Sequence, residues 1–278
     1  MTKRHGFTLI ELLVVIAIIA LLMSILMPAL SRVKEQGKMI SCMGNLKQWN
    51  LVAAMFTETN DGHFWDSDPG TPGYWFVRYM DEEVKDWKAN ETWMCPSATS
   101  PVRDEHGNEP PSLNIFNAWG IFTGNDLGPN GVAGSYGING YCLIPRGNPG
   151  QAPPATYESG VSTSQGWKSP GERGSSDAPW FVEALRFDLW PSESNPPAQN
   201  EFSAWVGGSA NNMARTAINR HRGFLNAAFL DWSVRKVGVK EVWSLKWHKS
   251  YNVNGPWTKT GGAIGSDWPE WMDQFKEF

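Results

Sequence analysis

The chain has 278 residues, 41% of them hydrophobic and only 19% charged, which excludes intrinsic disorder and leaves room for one large domain or two modest ones. Its net charge of −4 and the lack of a basic stripe exclude general attraction to a phosphate backbone, so no nucleic-acid partner is expected. Three cysteines are too few for a small disulfide scaffold, and they lack the paired short spacings of a zinc site.

The first element runs from Phe7 to Leu30, an apolar stretch whose one ionisable member is Glu11. It is long enough to cross the roughly 30 Å hydrocarbon core as a helix. Lys3 and Arg4 stand ahead of it, so the start of the chain is expected to stay cytoplasmic and the bulk to lie outside. A secretory signal would have a shorter apolar core and a small-residue cleavage site, and Ala29-Leu30-Ser31 is a poor one. A carboxylate inside a membrane run costs roughly 2.5–3.5 kcal/mol on insertion scales, so Glu11 needs a partner and a purpose.

The string Gly6-Phe7-Thr8-Leu9-Ile10-Glu11 after a short basic leader resembles the processing motif of type IV prepilins and type II secretion pseudopilins. The resemblance implies cleavage by a prepilin peptidase after Gly6 and methylation of the new N-terminal Phe7. It also implies that Glu11 pairs with the terminal amine of a neighbouring subunit during assembly. Two opposite charges sharing a lipid environment satisfy each other on docking, which fixes axial register. Pro28 falls where the family often carries a helix-kinking proline. Losing Lys3 and Arg4 would make the mature chain more acidic.

From Ser31 to about Thr59 the pattern turns amphipathic, with Met39, Cys42, Met43, Leu46, Trp49, Ala53 and Phe56 on one helical face. Unbroken from Phe7 to Phe56, the helix would be roughly 75 Å long. Gly37 and Gly44 are potential soft points, and Asn60-Asp61-Gly62 is a stop signal.

Between Asp61 and Asn200 clusters such as Asp68 to Gly73 and Gly147 to Gly150 leave room for short elements only. Trp75 to Met80 reads as a short helix and Ala178 to Ala184 as a buried strand, while Cys142 reads as a small core residue in a strand. Gly223 to Leu230 and Ser233 to Val237 form the clearest strand pair, a hairpin.

Three further matches narrow the resemblance. Cys42-Met43-Gly44-Asn45-Leu46-Lys47-Gln48, Cys95-Pro96-Ser97 and the His221 to Asp231 spacing are similar to the "C-x-x-N-L-K-Q", "C-P-S" and "H-x9-D-G" signatures of one pseudopilin subfamily. If Cys42 and Cys95 pair in an oxidising compartment, the bridge is worth about 4 kcal/mol by chain entropy; the alternative is two buried thiols. Two departures stand out. Trp232 occupies the signature's glycine position, and a bulky residue takes a positive φ only with strain, which counts against the tight turn. Glu183 stands where the subfamily more often has Asp, weakening a ligand role there.

His221, Asp231, Glu183, Asp177 and Asp188 are the titratable residues from which an acid-base pair or a cation site could be drawn. Spacing alone supports neither an acid-base pair nor a cation site, and the hydrolase, metalloprotease and phosphate-loop motifs are absent. The expectation is a chain that is not an enzyme and has no cofactor. Calcium is a weak option, with Glu183 and Asp231 as the weak metal candidates. The 16 tryptophans, including Trp65, Trp75, Trp87 and Trp93, read as large core plugs; the competing reading is a set of glycan-binding platforms on an adhesive surface protein.

Together these readings predict an α+β, pilin-like fold: a leader at 1–6, a transmembrane and polymerisation helix at 7–30, an amphipathic continuation at 31–59, and an exported domain at 60–278 with a mainly antiparallel sheet. The implied partners are the prepilin peptidase, the lipid bilayer, an inner-membrane assembly platform, and like subunits or other pseudopilins. The implied location is a bacterial inner membrane, single-pass, with the C-terminal domain periplasmic or extracellular.

Overall fold

The computed structural model describes residues 8–67, 91–102, 114–121, 132–202 and 211–278. Gly6, Phe7, the Asp68 to Gly73 cluster, the helix expected over Trp75 to Met80, and Trp75, Trp87 and Trp205 lie outside them. The chain divides into two units, residues 1–38 and 39–278, so the second begins inside the first helix instead of after it.

That helix, α1, is Leu9–Thr59 and passes through Pro28, Gly37 and Gly44 without interruption. Residues 12–23 are apolar on every face, so this part of the helix presents hydrocarbon outward all round. Leu9, Ile10, Leu21, Ile25 and Leu30 are each well exposed, and the helix is long and apolar enough to cross a membrane. It stops where expected: Asp61 and Gly62 take positive φ (52° and 76°), and the Gly62 N–H returns to the Thr57 carbonyl at 2.8 Å.

In chain order the strands are β1 (Asp66–Ser67), β2 (Ser100–Pro101), β3 (Asn117–Ile121), β4 (Val132–Gly134), β5 (Tyr136–Asn139), β6 (Ile144–Pro145), β7 (Pro179–Glu183), β8 (Asp188–Leu189), β9 (Phe224–Phe229) and β10 (Val234–Gly238). The main sheet has the order β10-β9-β7-β5-β8, antiparallel except for the β5/β8 pair. The expected strand over Ala178 to Ala184 is β7, and the expected hairpin is β9/β10. Cys142 is a buried core residue, but it lies in a short 3-10 turn instead of a strand. The chain leaves β5 at Asn139, whose side chain accepts from the Tyr141 N–H at 3.1 Å.

Both faces of this sheet are covered, which is why β7 and β9 read as nearly continuous apolar runs. On one face Cys42, Leu46, Trp49 and Ala53 of α1 pack with Trp93, Tyr136, Ile138, Trp180, Phe181 and Ala228. On the other, Val182, Leu225, Ala227, Phe229 and Val237 meet Tyr141, Trp190, Trp243 and Trp247. Alternation along the strands therefore aims Glu183 and Asn226 at the helix side, between neighbours that face away. A bulge between Pro179 and Phe181 lets Trp180 and Phe181 both face α1. Every described tryptophan is buried or half-buried, as core plugs require.

The turn joining β9 to β10 corrects an expectation. Trp232 does adopt positive φ, 64°. Its ring lies edge-on to Trp180 at 6.3 Å and to Phe64 at 6.4 Å. Its carbonyl accepts from Lys47 Nζ at 2.9 Å and from Asn50 Nδ2 at 2.8 Å, both on α1. A left-handed residue costs about 1–2 kcal/mol; these contacts offset it and turn a nominal fault into the hairpin's attachment to the helix.

Candidate functional site

Two groups of residues carry chemistry, one in each unit. In the first, Thr8 precedes the opening turn of α1. Glu11 Oε2 accepts from both the Thr8 N–H and the Thr8 hydroxyl at 2.8 Å, and the Glu11 N–H reaches Thr8 Oγ1 at 3.3 Å. This is a capping box: each side chain satisfies a donor that a helix start leaves without an intrahelical partner. The Thr-x-x-Glu spacing carried that signal, and the sequence reading gave Glu11 an intersubunit role without noticing the local one. Pro28, the second assembly candidate, sits further along the same exposed apolar segment.

In the second unit four chain segments converge. Cys42 comes from α1, Cys95 from the turn after a short 3-10 segment, Glu183 from the end of β7, and His221 from the approach to β9. All four are buried, and their ligand-type atoms lie within 4.8 Å of one another. The donors gather on one carboxylate oxygen. Glu183 Oε1 accepts from the Cys42 thiol, from His221 Nε2 at 2.8 Å and from Asn226 Nδ2 at 3.1 Å. Cys95 Sγ lies 3.3 Å from His221 Nε2 and accepts from the Ser97 N–H at 3.5 Å, while the Tyr136 hydroxyl donates to Cys42 Sγ at 3.2 Å. Glu183 Oε2 and His221 Nδ1 are buried without a hydrogen-bond partner among the described residues.

Charge follows this geometry. Burial opposes the Glu183 carboxylate, but His221, Arg220 and the Cys42 hydrogen bond outweigh it and hold its pKa below the ordinary carboxylate value. Burial likewise opposes the His221 imidazolium, yet Glu183 and Cys95 raise its pKa to about 10. Burial pushes Cys42 well above the usual thiol value, with Cys95 and Glu183 adding to the effect. Cys95 also resists ionisation through burial, but its hydrogen bonds with Cys42 and His221 bring it down to about 7. Of the two sulfurs, Cys95 is the readier thiolate.

The structure thus unites some expected residues and separates others. Cys42 and Cys95 meet as the resemblance implied, but as free thiols; the expected bridge is not formed, and their sulfurs are engaged by Glu183 and His221. His221 meets Glu183 but not Asp231, since the two signature residues flank opposite ends of β9. Asp231 is exposed and caps its own turn through the Ser233 N–H at 2.9 Å. Of the two weak metal candidates, Glu183 lies in this cluster and Asp231 lies apart from it. Val182 opposes Ala227 across β7/β9, which places Asp231 several strand residues beyond Glu183's neighbour Asn226. Asp188 pairs with Arg186, and Asp177 with Arg235 at 3.5 Å.

Sequence reasoning missed Tyr136, Asn226 and Arg220. Arg220 is buried and donates to the carbonyls of Ile115 (2.6 Å), Ser135 (2.8 Å), Asn117 (2.9 Å) and Ala184 (3.4 Å). Its place next to His221 was the one available signal.

Residues 1–27 match the family model described as the prokaryotic N-terminal methylation motif. The match supports a type IV pilin-like precursor. For such a pilin-like chain the motif implies processing by a prepilin peptidase and assembly with pilin subunits, and α1 suggests membrane anchoring. No curated protein and no solved structure matches the chain.

Proposed function

We propose that the chain is a structural, non-enzymatic pseudopilin of a type II secretion-like or type IV pilus-like filament. It is trimmed after Gly6, methylated on Phe7, and held single-pass in a bacterial inner membrane until it polymerises through α1. The observation that carries this reading is a methylation motif continuous with an apolar helix whose side chains are exposed all round. Such a surface requires lipid or other helices, and one subunit stacking on the next head-to-tail yields an open filament instead of a closed ring. The C-x-x-N-L-K-Q, C-P-S and H-x9-D strings point to the subfamily with an H-x9-D-G signature. Burial of the cysteine, histidine and glutamate cluster supports a structural role over a catalytic one. The buried or half-buried state of the described tryptophans gives no support to a glycan-binding surface.

Mass spectrometry of the N-terminal peptide from native membranes tests the proposal. A mature chain starting at methylated Phe7 is expected, and any other start would sink it. A Glu11→Ala chain should insert normally but join filaments poorly; equal incorporation would remove Glu11 as the register device.

A further inference from the structure

We propose that Cys42, Cys95, Glu183 and His221 form a closed four-ligand site for zinc or a similar borderline-soft divalent cation, fastening α1 to the sheet of the second unit. The donor set is two sulfurs, one imidazole nitrogen and one carboxylate oxygen, a combination that suits zinc and is foreign to calcium, for which thiolates are poor ligands. Zinc bonds of about 2.0–2.3 Å place tetrahedral ligands about 3.3–3.8 Å apart. Here Cys95 Sγ and His221 Nε2 are 3.3 Å apart, His221 Nε2 and Glu183 Oε1 are 2.8 Å apart, and all four atoms fall within 4.8 Å of one another.

Charge at the site is compatible with a bound divalent ion. Arg220 is a buried cation that meets only backbone carbonyls among the described residues, and it lies close enough to Glu183 to favour the carboxylate. Two thiolates, one carboxylate and a divalent ion carry one net negative charge, which Arg220 matches. A buried site favours the neutral sum. Binding displaces the two thiol protons, together with the proton held between Glu183 and His221, to solvent and leaves the sulfur oxidation state unchanged.

The surroundings fit the same role. Donors already aim at the anionic atoms: the Tyr136 hydroxyl at Cys42 Sγ, the Ser97 N–H at Cys95 Sγ, and Asn226 Nδ2 at Glu183 Oε1. Contacts of this type orient metal ligands and stabilise their charge. Glu183 Oε2 is a buried oxygen without a hydrogen-bond partner among the described residues, and a cation held by the same carboxylate would offset its charge. Four protein ligands without an open position mark a structural site, joining segments far apart in sequence.

The test uses the full chain in detergent, prepared anaerobically, stripped with chelator and titrated with Co²⁺. We expect saturation at one ion per chain, with thiolate-to-cobalt charge transfer and the visible bands of tetrahedral cobalt, and displacement of both by Zn²⁺. Cys95→Ser and His221→Ala should lose this spectrum, whereas Cys142→Ser keeps it. Because the wild-type spectrum is decisive alone, a variant that misfolds does not blunt the test. A wild-type chain with both thiols free and no cobalt bands overturns the proposal. So does a linked Cys42–Cys95 peptide in digests of the native, unreduced protein.

Discussion

Residues 9–30 and residues 39–278 handle their apolar side chains in opposite ways. The first segment exposes nearly everything it has, so its helix is held by its own backbone bonds and by whatever surrounds it. The second unit buries both faces of its sheet and places charged groups, Glu183, Arg220 and His221, inside. Hydrophobicity alone therefore says little about where stability resides. What separates the two is whether the chain supplies its own partners.

Four substitutions or conditions probe that contrast. Removing the carboxylate at the buried cluster should act most strongly: Glu183→Ala leaves His221, Asn226 and Cys42 without their shared acceptor, and about 3–5 kcal/mol of stability should disappear in denaturant titrations of the purified chain. An unchanged midpoint would show that the cluster is not a source of stability.

A pH scan should show the next largest effect. His248 is buried beside Lys246, and burial first, then the lysine charge, pushes its pKa down to about 4. Its neutral form is favoured in the fold, so this contribution is complete above pH 6.5 and is lost as pH falls toward 4. The loss is on the order of 3 kcal/mol, and His248→Gln should flatten that part of the curve.

Asn50 links α1 to the hairpin and accepts from Trp180 Nε1 at 2.6 Å. Asn50→Ala should cost about 2 kcal/mol by leaving the indole N–H and the Trp232 carbonyl short of partners. It should also raise amide exchange in the turn between β9 and β10; unchanged exchange there would contradict its role as an anchor.

The smallest effect belongs to the exposed segment. Leu21→Ala should move the unfolding midpoint of residues 39–278 by no more than about 0.5 kcal/mol while weakening filament incorporation. A large shift in that midpoint would break the distinction between the units.

The parts of this molecule legible in its sequence are those whose signal is contiguous. Gly6 to Glu11 is one string, the stop at Asn60 to Gly62 is another, and β7 and β9 are apolar runs bounded by turn residues. The buried cluster was only half legible. Its cysteines and histidine lay in recognisable strings, but nothing local said that Glu183 would meet His221 while Asp231 would not. That outcome depends on strand alternation and on the β7/β9 register, both tertiary facts. Trp232 was misjudged for a related reason. A steric rule prices a residue in isolation, whereas Trp180, Phe64 and the Asn50 side chain set its actual cost.

The Thr8–Glu11 box has a consequence for growth. Under the proposed assembly, a neighbour's amine would arrive at a carboxylate already occupied by the hydroxyl and amide of Thr8. Both Thr8 donors fall on Oε2, so the other carboxylate oxygen is left to take the amine while the box holds the side chain in place. The carboxylate would then meet its new partner already aimed, with less side-chain freedom left to lose on docking.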